Sequence, residues 1–527
     1  MILEIIISVI TFVFAYVYYK FKSTHWMFEK KGIKYLPGVP LFGNAYEIFL
    51  TKKQFFYVID EVYRAFPNDK YVGFIEGTDP LILIRDPEII KNTTVKDFDH
   101  FVDHKEFFSE DAEPLFGGSL LQMKGERWRD MRTTLSPAFT ASKMRLMIPF
   151  MFEATKNVID NLKERVSKED DIDVDDLIRR YTNDVIASAG FGLQVNSVKE
   201  KDNEFFLMGR DLFVFNTYQR ILFFLMTQMP WLFKVFKLKI FPDKTMNFFR
   251  NIVRSTIEHR KTNNVCRPDM IQLLMEASKG ELKSKDADDD SGSVGFATTQ
   301  EALKPRGNAR EWTEEELIGQ VFIFFVAGFE SSAGALTTTI HELALNPEVE
   351  EKLYQECKQF RDSEKTLTFE NVGQLKYLDC VINENMRKWA AAIIMDRTCT
   401  KAYELPPPRE GAKPVTLKPG DVIYNMVNCI HMDEKYFPNP EVFDPERFSD
   451  ENKHKIKPFT FMPFGMGPRN CIGSRFALLE LKVLLYSLVV NFKIKKSKRT
   501  LDPIVLNPKD FNIKVNGGTY VKMEPRQ

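Results

Sequence analysis

A chain of 527 residues with zero formal net charge and 44% hydrophobic residues is neither a disordered polymer nor a polycation built for nucleic acid. Its six cysteines (Cys266, Cys357, Cys380, Cys399, Cys429 and Cys471) are scattered with no C-x-x-C pair, so no zinc spacing or disulfide framework is visible and a reducing cytosolic compartment fits best. Forty-six phenylalanines imply wide apolar surfaces, some able to line a pocket or touch lipid.

In chain order, residues 2–19 come first, almost wholly apolar with Glu4 the one charge. Eighteen helical residues reach roughly 27 Å, enough for a bilayer core. A cleaved signal peptide would need a basic start, a shorter apolar run and a small-residue cleavage site, so a retained anchor over 1–22 is expected. Lys20, Lys22, Lys30 and Lys31 place the rest on the cytosolic side. A basic linker over 23–44 carries the stiff turn Pro37-Gly38-Val39-Pro40, and one body fills 45–527.

Within that body the periodicity predicts helices over 126–135, 141–163, 173–189, 248–261, 269–277, 349–360, 377–388 and 474–490. Residues 279–310, with Asp286, Asp288, Asp289, Asp290 and Ser291-Gly292-Ser293, read as a solvated loop. Thr313 and Glu316 form a capping box that opens a long helix ending at Leu345, before Asn346-Pro347. Strands are expected late: 398–403, then 415–417 paired with 422–426 around Lys418-Pro419-Gly420, and a hairpin of 513–515 with 520–523. The fold class is mainly α with a small β portion.

The sharpest segment is Pro463-Phe464-Gly465-Met466-Gly467-Pro468-Arg469-Asn470-Cys471-Ile472-Gly473, running straight into a helix. Two glycines and a proline make a tight loop whose backbone N–H groups, with the positive end of the following helix, favour thiolate, the form that binds metal. The segment resembles the haem-binding loop of cytochromes P-450, Phe-x-x-Gly-x-x-x-Cys-x-Gly, at Phe464, Gly467, Cys471 and Gly473. The similarity runs in family order over most of the chain after the anchor. It implies the cytochrome P-450 fold, preceded here by a transmembrane helix, and gives Cys471 the role of axial ligand to the iron of haem b (iron protoporphyrin IX), where a thiolate favours O–O cleavage.

The resemblance assigns further residues. Glu384 and Arg387, at i and i+3, with Arg447 of Pro445-Glu446-Arg447-Phe448, would form a buried network that pins the haem loop. In Ala327-Gly328-Phe329-Glu330-Ser331-Ser332 of the long helix, Glu330 and Ser331 would be the acid–alcohol pair that delivers protons, with a local opening of the helix near Gly328. Ser331 stands where threonine is usual, and Ala390-Ala391 where prolines are frequent. Trp128, Arg132, Arg397 and Arg469 resemble the family's haem-propionate contacts, for which arginine is the apt partner.

By the same analogy the pocket draws on residues 101–122, 205–241, 322–329, 390–395 and 507–511, with Phe107, Phe108, Phe116, Phe213, Phe215, Phe223 and Phe224 available, and takes a lipophilic small molecule. Phe223-Phe224-Leu225 and Trp231-Leu232-Phe233 could instead face lipid. The overall pattern resembles insect microsomal members that oxidise plant toxins and insecticides, with an endogenous hormone or lipid as the rival substrate and a haem-thiolate isomerase or dehydratase as the rival chemistry. No nucleotide-binding unit is visible, so electrons from NADPH would arrive through NADPH–cytochrome P-450 reductase, with cytochrome b5 as an optional helper, at the endoplasmic reticulum membrane. Lys453, His454, Lys455 and Lys457, with Lys124, Arg127 and Arg129, are candidate docking cations. Nucleic acid is not an expected partner.

Overall fold

The computed structural model describes residues 2–169, 171–279, 294–298, 312–363 and 365–526. Most of the 279–310 loop expected from the sequence, including its aspartates, therefore lies outside the described residues.

The chain opens on α1 (Ile2–Lys30), one helix of 29 residues and about 43 Å. Its first half exposes Ile7, Phe12, Phe14, Tyr16, Tyr18 and Tyr19, while Phe21 and Phe28 near its end are buried. Gly73 makes the seat for Phe28, since a Cβ there would meet the ring at 2.7 Å. The helix thus runs past residue 22, and the expected linker begins as part of the packed body. Pro37-Gly38-Val39-Pro40 does turn the chain, with Gly38 at φ +64° and Val39 bridged to Gly43.

The helices that carry the body follow in order: α2 (Gly125–Leu135), α3 (Ala141–Arg165), α4 (Val174–Phe191), α5 (Thr217–Gln228), α6 (Pro230–Phe236), α7 (Asp243–Asn263), α8 (Met270–Ser278), α9 (Glu314–Leu345), α10 (Pro347–Asp362), α11 (Lys376–Lys388) and α12 (Ser474–Asn491). The helices read from periodicity all appear, most of them within two residues of the expected ends. Their caps explain this. Asp173 accepts from the Asp176 N–H at the start of α4, and Gly192, at φ +73°, ends it. Thr313 and Glu316 make the reciprocal bonds of the capping box ahead of α9. That helix, about 48 Å long, crosses the molecule and packs on α4, α8, α11 and α12, so its apolar length is core rather than lipid-facing surface.

Among the described residues, nine strands form three small sheets. β1 (Tyr71–Glu76), β2 (Asp79–Ile84), β4 (Ile394–Thr398) and β7 (Val422–Met426) build a four-stranded sheet in the order β1-β2-β7-β4, with β2 and β7 parallel and the other pairs antiparallel. β3 (Ile172–Asp173), β9 (Tyr520–Pro525) and β8 (Phe492–Lys496) make a second sheet; β5 (Tyr403–Leu405) and β6 (Val415–Leu417) a third.

Three strand expectations are corrected. The run 398–403 is the end of β4, a turn and the start of β5. β6 and β7 do not pair across Lys418-Pro419-Gly420; each joins a different sheet because β7 is claimed on both sides by β2 and β4. Residues 513–515 do not form a hairpin with β9: Val515 bridges Leu506, and β9 lies between β8 and β3.

Candidate active site

The loop before α12 closes by backbone bonds: the Cys471 N–H donates to Phe464 O at 2.8 Å and the Asn470 N–H to Gly467 O at 3.0 Å. Gly465 and Gly467 both take positive φ. At Gly467 there is also no room, because a Cβ would lie 1.8 Å from Thr94 O. Cys471 lies deep within the body yet keeps an accessible side chain, as expected of a residue lining an internal cavity instead of filling the core. Burial pushes its thiol up, and the Gly473 N–H and the Arg132 charge only partly oppose this. A metal cation held by the sulfur would invert that balance and favour the thiolate.

On α9 a second accessible patch interrupts an otherwise buried rod. Ala327 and Ser331 are exposed and Ala335 half-buried, one stripe at helical spacing. Ala391, just past α11, is exposed as well. The Ser331 hydroxyl donates to Ala327 O at 2.5 Å, and α9 is continuous from Glu314 to Leu345. The expected opening of the helix is absent. The serine satisfies itself on the carbonyl one turn back, and Gly328 serves close packing: a Cβ there would meet Ile186 Cδ1 of α4 at 2.6 Å.

Glu330 points the other way. Arg179 of α4 grips it with two bonds, Nη2 to Oε1 at 2.8 Å and Nε to Oε2 at 3.3 Å, and Asp175 holds the same guanidinium at 2.9 Å. No hydrogen bond joins Glu330 to Ser331. The structure thus places the acid and the alcohol on adjacent positions without bringing them together. Arg179 was missed from the sequence, although Asp175 and Arg179 sit at i and i+4 within a buried helix.

The expected propionate residues do converge. Trp128 is almost fully buried on α2, its ring 4.0 Å beneath the Arg469 guanidinium. Arg132 donates to Asn470 O and Oδ1 at 2.9 and 2.7 Å, tying α2 to the cysteine loop. Arg397, on β4, is buried; Nη1 donates to Asp396 O, and Nε has no hydrogen-bond partner among the described residues. Burial lowers Arg397 to about 10, and burial and the charges of Arg397 and Arg132 push Arg469 down too. Three crowded guanidiniums with an orphaned N–H fit a dicarboxylate ligand.

One role shifts. Arg469 spends its donors on the carbonyls of Val102 (2.8 Å), Leu120 (3.3 Å) and Met123 (2.7 Å), so it fastens the 102–123 segment and keeps little of its fork for a carboxylate. His104, which carried no sequence signal, stands beside this cluster, its Nδ1 2.9 Å from Asp396 Oδ1.

Behind the loop, the expected network is present. Arg387 binds Glu384 at 2.7 and 2.9 Å with both side chains fully buried, Arg447 lies at 3.4 Å, and the Asp444 N–H adds 2.9 Å. His431 carries the network to the loop: the Met462 N–H donates to its Nε2 at 2.9 Å, and its Nδ1 faces Arg387 O at 3.2 Å. Both bonds suit a neutral ring. Burial, then Arg387, pushes His431 down to about 3 from the usual 6.5 or so. This stability is therefore fully present above about pH 6.5 and is lost as pH falls toward 3. Between pH 7 and 5 the protein should lose about 2 kcal/mol through this residue, and His431→Gln should lose correspondingly less. Urea midpoints at the two pH values check this; equal sensitivity contradicts it.

The docking cations are less free than expected. Lys124 pairs with Glu106, Arg127 with Glu110 and Glu316, Arg129 with Asp99, and Lys453 with Asp450. The pocket stretches do meet through their rings. Phe116 contacts Phe108, Phe241 and Phe322 at 4.7–4.9 Å, and Phe511 contacts Phe215 and Phe223 at 5.9 and 5.6 Å. Phe224 does not join them, packing outward on Phe42 and Phe49.

A family model described as Cytochrome P450 matches residues 34–515. Among curated proteins, the chain is 41% identical over 518 residues to cytochrome P450 9e2 of Blattella germanica, covering 95% of this chain and 94% of the relative. It is 42% identical over 511 residues to probable cytochrome P450 9f2 of Drosophila melanogaster, 95% of each chain. Cytochrome P450 6j1 of Blattella germanica matches at 32% over 507 residues, 96% of this chain and 95% of the relative.

Proposed function

The chain belongs to the cytochrome P450 family, and from that premise we propose a membrane-anchored monooxygenase that places one oxygen atom of O2 on lipophilic xenobiotics, drawing electrons from NADPH through a flavoprotein reductase. Membership brings haem and monooxygenase chemistry. The observation that carries the rest is the accessible Cys471 inside the body, with the guanidiniums of Arg132, Arg397 and Arg469 clustered beside it. Cys471 would hold the haem iron through its sulfur; Arg132, Arg397 and Trp128, with a lesser share from Arg469, would hold the propionates. When bound, the haem supplies O2 activation.

The protein's own residues then do three things. The linked rings of Phe108, Phe116, Phe215, Phe223 and Phe241 exclude water and favour an apolar substrate. Ser331 offers a hydroxyl at the accessible stripe of α9. Glu330 passes a proton toward it only when it leaves Arg179, so that ion pair sets how often the carboxylate is available.

Threonine at 331 would keep the hydroxyl, and its β-branch would narrow the rotamers. In Ser331→Thr, peroxide formed per NADPH is expected to fall about twofold, some 0.4 kcal/mol; an unchanged or higher yield contradicts the positioning argument.

The exposed Ile7, Phe12, Phe14, Tyr16, Tyr18 and Tyr19 of α1 support a membrane anchor over residues 1–22, ahead of the 23–44 connection and the catalytic body. Trp231, Val235 and Phe236 of α6 are exposed too and suit an interfacial contact that admits substrate from lipid. The endoplasmic reticulum membrane, with the body in the cytosol, fits both. Reconstitution in vesicles with NADPH and the reductase tests the function: an insecticide or plant toxin should gain one labelled atom from 18O2. Turnover of substrate without NADPH would overturn it in favour of an isomerase or dehydratase.

A further inference from the structure

Residues 294–298, a described stretch of the connection between α8 and α9, lie against α11 and α12. Gly295, Phe296 and Thr298 line one side of a cavity of about 540 Å³ that the segment leaves open. Its floor is a buried ion pair, Lys482 of α12 with Asp379 of α11 at 2.8 Å; the Lys482 side chain is 1% exposed. Both charges also bind the main chain of the segment, Lys482 Nζ donating to Val294 O and Asp379 Oδ2 accepting from the Phe296 N–H at 2.9 Å. Val294 is buried, and the Phe296 ring lies parallel to Phe461 at 6.0 Å and on edge to Phe448 at 5.8 Å. Gly295 is dictated by fit. A Cβ there would meet Asp379 Oδ1 at 2.2 Å, and Asp379 is held by Lys482 and by Asn383 at 3.0 Å.

A bare lysine–aspartate pair in that cavity would be costly to leave undersatisfied. Main-chain groups from an extended peptide complete it, apolar side chains at either end fill the walls, and glycine is required between them. These are the features of a peptide-recognition site, occupied by the protein's own chain. Its position gives the occupancy a consequence. Arg475, in the first turn after Cys471, and Lys453, of the basic run, line the same cavity. Phe296 stands 42% exposed beside Lys453, one of the candidate docking cations.

We propose that Val294–Thr298 is a self-docked peptide cap on the cysteine-loop side, and that its docking and the docking of the electron-donating flavoprotein oppose one another. The inference rests on the reductase reading above. It is distinct from the charges of Lys453, Lys455 and Lys457: the cap acts by occupying space.

The test uses the full-length protein in vesicles. Gly295→Val should open the bond after Phe296 to chymotrypsin, read by fragment mass, and lower the Kd for the reductase at least about threefold. A saturating free peptide of sequence Val-Gly-Phe-Ala-Thr should restore the original Kd. Phe296→Ala should tighten reductase binding in the same direction. Unchanged cleavage in Gly295→Val overturns the docking; cleavage with unchanged or weaker reductase binding overturns the cap. Reversal of Lys453, Lys455 and Lys457 to glutamate separates the two readings. Weaker binding there, with no gain in Gly295→Val, leaves the donor face standing and removes the cap; no change in either removes both.

Discussion

Cys471→Ser should abolish turnover while leaving the fold intact. The loop is held by backbone bonds from Cys471 N–H to Phe464 O and Asn470 N–H to Gly467 O, and by the close approach of Gly467 to Thr94, none of which involves the sulfur. Serine fits the same loop but offers a hard hydroxyl that stays protonated where a soft thiolate is needed. Monooxygenase activity is expected to fall at least about a thousandfold, about 4 kcal/mol in activation free energy, with a urea midpoint within about 1 kcal/mol of the parent. Product formed per NADPH, beside the urea curve, makes the comparison. A variant that keeps a tenth of the activity, or that unfolds, contradicts the assignment.

Arg387→Met should unfold much of the protein's margin. Glu384 and Arg387 are both fully buried and joined by two bonds. Arg387 also donates to His431 O at 2.8 Å and Pro440 O at 2.6 Å. Methionine leaves Glu384 with the Asp444 N–H and with Arg447 at 3.4 Å, too little to offset a charge in the core. Losing one partner of such a pair costs about 3–5 kcal/mol, a large share of the 5–15 kcal/mol typical of a domain. The double variant Glu384→Leu with Arg387→Met should recover part of that loss, since it buries no unpaired charge. Urea unfolding of the two singles and the double checks this. A single variant that loses under about 1 kcal/mol would mean the network carries no stability.

The cysteine loop was legible because its chemistry is local: two positive-φ glycines, an arginine and a cysteine fall within nine residues. The capping box ahead of α9 was legible for the same reason, whereas Glu384 and Arg387 at i and i+3 stood out from a common helix pattern only through the resemblance of Pro445-Glu446-Arg447-Phe448 to the family's segment. What depends on partners far along the chain was not. The β1–β2 hairpin was missed because Tyr71–Glu76 is buried on both faces, so no alternation marks it. β6 and β7 looked like neighbours, but register belongs to the whole sheet. Gly328 read as a hinge, and only the packed Ile186 reveals a contact glycine. Arg179, His104 and His431 acquire meaning through Glu330, Asp396 and Met462, at separations no pattern spans. Lys124, Arg127 and Arg129 looked like free cations until their acids were in place.

The most direct test of the account is the reduced carbon-monoxide difference spectrum of membranes that contain the full-length protein, beside Cys471→Ser. A Soret band strongly red-shifted from ordinary haem–CO in the parent, and lost in the variant, is the predicted result and makes Cys471 the thiolate ligand. Folded, haem-containing parent protein without that band, or a variant that keeps it, would contradict the account at its centre.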